Sequence, residues 1–299
     1  MANIIRSLTL QGLLLLLPWL LQAPAANAGV LERLFAPSAQ VWSFWDTHGT
    51  ATDVIDHSPW QRFLQNHVRP GDDGINRVEY AKVTAAERAA LRNYIERLQK
   101  INIRDYGRDE QLAYWINLYN AVTVNVVLEH YPVASIRDID ISPGFLSFGP
   151  WDKKLLSIEG QAVSLNDIEH RILRPIWKDP RLHYALNCAS LGCPNLQTTA
   201  FTAVNTPALL DASARDYVNH PRGVSIIDGE LRVSSIYSWF REDFGDSDAD
   251  VIKHLRRYAS AELAAELAGF DHIDDDDYDW SLNDTEPVEA NPVTAEDFN

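Results

Sequence analysis

Apolar and polar positions along the first half of the chain alternate with helical rather than strand periodicity. After an entry segment around Leu31 to Trp45, Pro59 to Val68 reads as a short helix, with Ser58 as N-cap and Pro59 in the first helical position. Gly71, Asp72, Asp73 and Gly74 mark a turn, Ile75 to Tyr80 a short strand, and Thr84 with Glu87 a capping box opening a helix to about Gln99. The stretch Asp109 to His130 is apolar on all sides, through Leu112, Trp115, Ile116, Leu118, Val122, Val124, Val126 and Val127, which predicts a buried central helix. Asn117, Asn120 and Asn125 interrupt it. Amides buried in such a helix must be hydrogen-bonded, either as ties to neighbouring loop backbone or as orienters of a catalytic ring.

Farther on, Ser164 and Asp167 form another capping box, and Pro175 limits the helix that follows. Leu165, Ile168, Ile172 and Leu173 define its apolar stripe. Glu169 falls inside that stripe and His170 on its border, so a carboxylate faces the core and needs an arginine or a histidine as partner. After Pro180, Arg181 to Asn187 reads as a strand with His183, Ala185 and Asn187 on one face and Tyr184 and Leu186 on the other. Ser234 to Phe244 and Asp248 to Leu267 read as helices of the scaffold. These elements predict an α+β fold: a single helix-rich domain over residues 29–284 with a small sheet that includes Arg181 to Asn187, compatible with a papain- or transglutaminase-like layout.

Composition adds a compartment and removes some partners. Arg6 precedes an apolar run from Leu8 to Leu21, and Ala26, Asn27 and Ala28 follow as a cleavage pattern, so residues 1–28 read as a secretory signal. The mature chain is expected to be exported, to the periplasm or the cell exterior, and no later segment is apolar enough to span a membrane. A formal net charge of -16 excludes a nucleic-acid partner, which would need clustered Lys and Arg. The expected partner is a small molecule or a peptide. Residues 285–299, with Pro287, Pro292 and several acids, read as a disordered acidic tail.

Both cysteines lie in the run His183 to Pro194. A free thiolate with histidine and asparagine nearby is the equipment of nucleophilic catalysis, whereas a Cys188 to Cys193 disulfide across the Gly-Cys-Pro turn would stiffen a loop. Oxidation after export favours the disulfide. A straight strand would separate His183 from Cys188 by about 16 Å, so pairing them requires a turn at Asn187. Otherwise His170 is the next candidate base, with Glu169, Asn117 or Asn120 as orienter. His183, Cys188 and Cys193 are weak zinc candidates, because short Cys spacings and a fourth ligand are absent. The acidic run from Asp275 matches a calcium loop except for Trp280 where that loop needs glycine. No cofactor motif is present.

The motifs taken together carry a resemblance. Tyr114 to Ala121, Ser164 to His170, His183 to Ser190 with Cys193 and Pro194, Asp243-Phe244-Gly245, and Tyr278 to Asn283 resemble the domain of unknown function 547 family, over roughly residues 45–283. That resemblance brings no assigned mechanism. Two functions from different classes follow from the residues: a thiol-dependent hydrolase or acyltransferase acting on an amide or ester through Cys188, or a secreted binding module whose disulfide flanks a polar pocket. A redox-active dithiol is a third, although Cys-x-x-Cys spacing is missing.

Overall fold

The computed structural model describes residues 37–144 and 149–286, all within one compact unit. The signal expected at 1–28 and most of the acidic tail, 287–299, lie outside the described residues. Helices α1 (Ser58–His67) and α2 (Ala85–Gln99) flank a hairpin of β1 (Val68–Pro70) and β2 (Asn76–Val78). The Thr84/Glu87 capping box forms as expected at α2. At α1 the start shifts by one residue: His57 is the N-cap, and the Asp56 carboxylate accepts the Ser58 N–H at 2.9 Å.

Helix α3 (Arg108–His130) is the axis of the larger core cluster. Its apolar side chains are buried all round, each contributing on the order of 1.5–3 kcal/mol by removal from water. Beyond it come the hairpin β3 (Leu156–Ile158) and β4 (Gln161–Val163), then a helical stretch capped reciprocally by Ser164 and Asp167. That stretch is wound as a π-helix over Asp167–Leu173 and continues as α4 (Arg174–Trp177). Pro175 therefore does not stop the helix. Its missing N–H is accommodated because the His170 and Arg171 carbonyls of the preceding turn accept the Gln40 and Trp42 N–H groups, at 3.0 and 2.9 Å.

A second core cluster gathers α5 (Thr206–Val218), the hairpin β5 (Val224–Ile227) and β6 (Glu230–Ser234), the short helices α6 (Ile236–Trp239) and α7 (Arg241–Phe244), and α8 (Asp248–Tyr258). The surface helix expected over Asp248 to Leu267 is two helices, because Ser260 accepts the Leu263 N–H and caps a new one, α9 (Ala261–Leu267). The acidic run is not a loop: β7 (Asp275–Asp277) pairs parallel with β6. The fold of the described residues is helix-rich α+β, with three small sheets.

One element departs from its expected type. Pro180–Tyr184 is a 3-10 helix rather than part of a strand, so no sheet includes Arg181 to Asn187. The Asp179 carboxylate caps the Arg181 N–H at 2.9 Å, and the N–H groups of Ala185 and Leu186 both turn back to the Leu182 carbonyl. Leu182, His183, Tyr184, Ala185 and Leu186 are all buried, so there is no solvent face for alternation to report.

Candidate functional site

The wide π turn brings Glu169, His170 and Arg174 inward together, and one-turn π segments recur at functional sites. Arg174, with its side chain 1% exposed, is the hub: its guanidinium reaches Asp243 Oδ2 at 2.5 Å, Glu242 Oε1 at 2.8 Å and the Pro37 carbonyl at 2.7 Å. It also donates to His170 Nδ1 at 2.9 Å. Guanidinium has no acceptor, so His170 Nδ1 holds a lone pair and its proton sits on Nε2. Burial pushes the His170 pKa down to about 4, which keeps the ring neutral at physiological pH.

His183 lies between two carboxylates. Its Nε2 is 2.6 Å from Asp243 Oδ2 and its Nδ1 is 3.8 Å from Glu169 Oε1. Phe240 stacks on the ring at 4.6 Å, and the Arg174 guanidinium covers that same phenyl ring at 4.7 Å. Asp243 is desolvated, which opposes ionisation, but the hydrogen bonds and charges of His183 and Arg174 outweigh this and hold its pKa at about 2. Glu169 thus has the histidine partner its position demanded, and its other oxygen accepts the Tyr119 hydroxyl at 3.0 Å.

The thiol loop adjoins this cluster. Cys188 is half-buried and Cys193 is buried; both are free thiols, with the sulfurs 3.1 Å apart. That is about 1 Å longer than a disulfide bond. The Cys188 N–H donates to Cys193 Sγ at 2.9 Å, while Cys188 Sγ meets Ser190 Oγ at 3.3 Å and Tyr278 Oη at 3.0 Å. The contact with the Cys193 thiol, together with the Ser190 and Tyr278 hydroxyls, lowers the Cys188 pKa, against burial and the nearby Glu169 charge. Burial, followed by the neighbouring Cys188, pushes the Cys193 thiol well up. The partners of Cys188 Sγ among the described residues are thus hydroxyls and a thiol, and no histidine hydrogen-bonds to it.

Local backbone holds this arrangement. Ala189 has φ +61°, a left-handed conformation unusual for a residue with a side chain, and Asn187 Oδ1 secures it by accepting the Ala189 N–H at 3.0 Å. Asn187 Nδ2 donates to the Pro194 carbonyl at 2.8 Å, bracketing the loop at its far end. Gly192 lets the Tyr278–Asp279 segment close in, since a Cβ there would fall 2.7 Å from the Asp279 nitrogen.

Asn117 and Asn120 are spent on backbone. Asn117 exchanges two bonds with Phe201, at 2.7 and 3.0 Å, and Asn120 accepts from the Asn187 N–H and donates to the Ala185 carbonyl, at 2.8 and 2.9 Å. Asn125 bonds Glu129 on the outer face. Among the described residues no three His, Cys, Asp or Glu side chains converge as a metal ligand set, and His183 and the cysteines do not form one. No helix of the described residues is long and apolar enough to cross a membrane.

Sequence reasoning missed Arg174, Asp243, Ser190 and Tyr278 as members of the site. Arg174 stands four residues after His170, the spacing at which helical side chains meet, and that signal was available. Asp243 and Tyr278 lie 60 and 90 residues from their partners, and their signal was membership of the Asp243-Phe244-Gly245 and Tyr278 to Asn283 motifs, which named no partner. No curated protein and no solved structure matches the chain. The family model described as "Protein of unknown function, DUF547" matches residues 103–218. This is shorter than the resemblance over 45–283, and it includes α3, Glu169, His183 and both cysteines but neither Asp243 nor Tyr278. Over residues 103–218 the chain is thus similar to the DUF547 family, one of unknown function.

Proposed function

We propose that Cys188 is the nucleophile of a thiol-dependent hydrolase or acyltransferase acting on an amide or ester. The observation that carries this reading is the half-buried Cys188 beside the left-handed Ala189, its sulfur in contact with the Ser190 and Tyr278 hydroxyls that favour its thiolate. Attack on a carbonyl carbon would give a thioester at Cys188. The leaving amine or alcohol would take a proton, and water or an acceptor amine or alcohol would then release the acyl group. Glu169 and His183, the latter held at Nε2 by Asp243, are the proton-handling groups of this proposal. With residues 1–28 as an export signal, the reaction would take place in the periplasm or outside the cell.

The test combines labelling and acylation of the reduced protein. Iodoacetamide should modify Cys188 in preference to Cys193, and Tyr278→Phe should slow labelling at neutral pH several-fold by removing one donor to the thiolate. An activated ester should leave an acyl group on Cys188 visible by intact mass and absent from Cys188→Ser. Failure to label Cys188, or faster labelling of Cys193, would overturn the reading. The close approach of the sulfurs also favours the rival, a binding module clipped by a Cys188 to Cys193 disulfide. In that case the oxidised protein should lose on the order of 2 kcal/mol of stability when both cysteines become alanine.

A further inference from the structure

We propose that Cys188 and Cys193 form a reversible dithiol–disulfide couple that reduces low-molecular-weight disulfides, with Cys188 attacking and Cys193 resolving. The proposal rests on Cys188 being the nucleophile, and not on acyl transfer.

Three observations carry it. First, the sulfurs are brought to 3.1 Å without a bond between them, by side chains and backbone that act on the loop. Asn187 fastens both Ala189 and Pro194, and the Cys193 N–H returns to the Ser190 carbonyl at 3.2 Å. Tyr217 donates to the Gly192 carbonyl at 2.6 Å and Arg222 to the Leu191 carbonyl at 2.7 Å. Closing the bond needs a sulfur movement of about 1 Å, within the reach of side-chain rotation, so the dithiol is preorganised for oxidation.

Second, the two thiols differ in access. Cys188 is partly exposed and can meet a disulfide from solution, whereas Cys193 is buried and its sulfur touches only groups of the protein, including the Cys188 N–H and the Leu186 carbonyl. This asymmetry sets the order of attack, since only one sulfur can be reached first. Third, each transient thiolate has a donor in place: Ser190 and Tyr278 at Cys188, and the Cys188 N–H at Cys193. Acyl transfer has no use for a second thiol at this distance, whereas disulfide exchange requires one.

The steps balance. The Cys188 thiolate attacks one sulfur of R–S–S–R, forming a Cys188–S–S–R bond and releasing R–S⁻, which takes up the proton lost by Cys188. The Cys193 thiol loses its proton and its sulfur attacks Cys188 Sγ, forming Cys188–S–S–Cys193 and releasing the second R–S⁻, which takes up that proton. The protein dithiol is oxidised by two electrons, and one disulfide is reduced to two thiols.

The test uses the reduced full-length protein, oxidised glutathione, an alkylating quench and intact mass. Wild type should lose both thiols and retain no glutathione. Cys193→Ser and Cys193→Ala should each hold one glutathione on Cys188, and Cys188→Ser should react at least about tenfold more slowly, as its remaining thiol is buried. Two thiols persisting in wild type, a stable glutathione adduct on wild type, or equal rates for the Cys188 and Cys193 variants would overturn the couple. Iodoacetamide labelling of Cys188 without disulfide closure would sink the couple while leaving Cys188 as a nucleophile. Closure without any acyl-enzyme would support the couple and remove acyl transfer.

Discussion

Replacing Asn120 by leucine separates the structural use of its amide from a catalytic one. The leucine has similar volume but can neither accept the Asn187 N–H nor donate to the Ala185 carbonyl, the bonds now made at 2.8 and 2.9 Å. Asn120 is 3% exposed, so water cannot replace those bonds without disrupting the packing around α3. Each buried backbone group left unpaired costs about 1–3 kcal/mol. The better helix propensity of leucine returns only about half a kcal/mol. The expected loss is therefore about 2–5 kcal/mol, a large part of the 5–15 kcal/mol that holds a typical domain together. Guanidinium unfolding should show a lower midpoint with an unchanged slope. Asn117→Leu should cost a comparable amount through Phe201 yet leave the rate of Cys188 alkylation unchanged, because Phe201 takes no part in the cysteine turn. A loss below about 1 kcal/mol for Asn120→Leu, together with abolished thiol reactivity, would refute the tie and make Asn120 a catalytic orienter.

Acid should destabilise the protein in two steps. Burial lowers the pKa of His57, His170 and His254 from 6.5 to about 4, so the folded state holds them neutral where the unfolded chain is protonated. That stabilisation is complete above pH about 6.5 and is lost as pH falls through about 4; Asp243, held at about 2 against 3.8 unfolded, extends the loss toward pH 2. A Tm that stays level between pH 6.5 and 4 would contradict the buried neutral histidines. Gly192→Ala places a methyl 2.7 Å from the Asp279 nitrogen. It should cost about 1–3 kcal/mol by overpacking and slow Cys188 alkylation by pushing Tyr278 away. Unchanged stability and labelling would show that the two segments separate freely.

The parts of this fold that could be read from the chain are those whose determinants lie within a few residues. Thr84 with Glu87 and Ser164 with Asp167 satisfy orphan N–H groups reciprocally, and both capping boxes form. The all-round apolar character of α3 predicts its burial for the same local reason. Arg181 to Asn187 differs from the expected strand because its hydrophobic neighbours surround it, leaving alternation nothing to register, while Pro180 and the Asp179 cap favour a tight helical turn. The placement of Glu169 against a histidine was legible as a requirement, since a carboxylate on an apolar stripe needs a partner. That the partner is His183, and that Asp243 holds the far side of its ring, depends on tertiary packing of α7 against the π turn and has no local signature.

The histidine–carboxylate cluster and the thiol loop are joined through consecutive residues of one helix. Tyr119 donates to Glu169, and Asn120 next to it holds the Asn187 N–H and the Ala185 carbonyl. Successive helical side chains diverge by about 100°, so α3 can grip two segments that have no reason to meet in sequence. Because α3 is packed on all sides, neither grip can shift without moving the core around it. Placing the site on this helix gives Cys188 and Glu169 a separation set by the core, which neither the thiol loop nor the π turn would fix alone. Rigidity of this kind suits chemistry in which a thiolate and a carboxylate must stay close enough to sense each other's charge while remaining distinct.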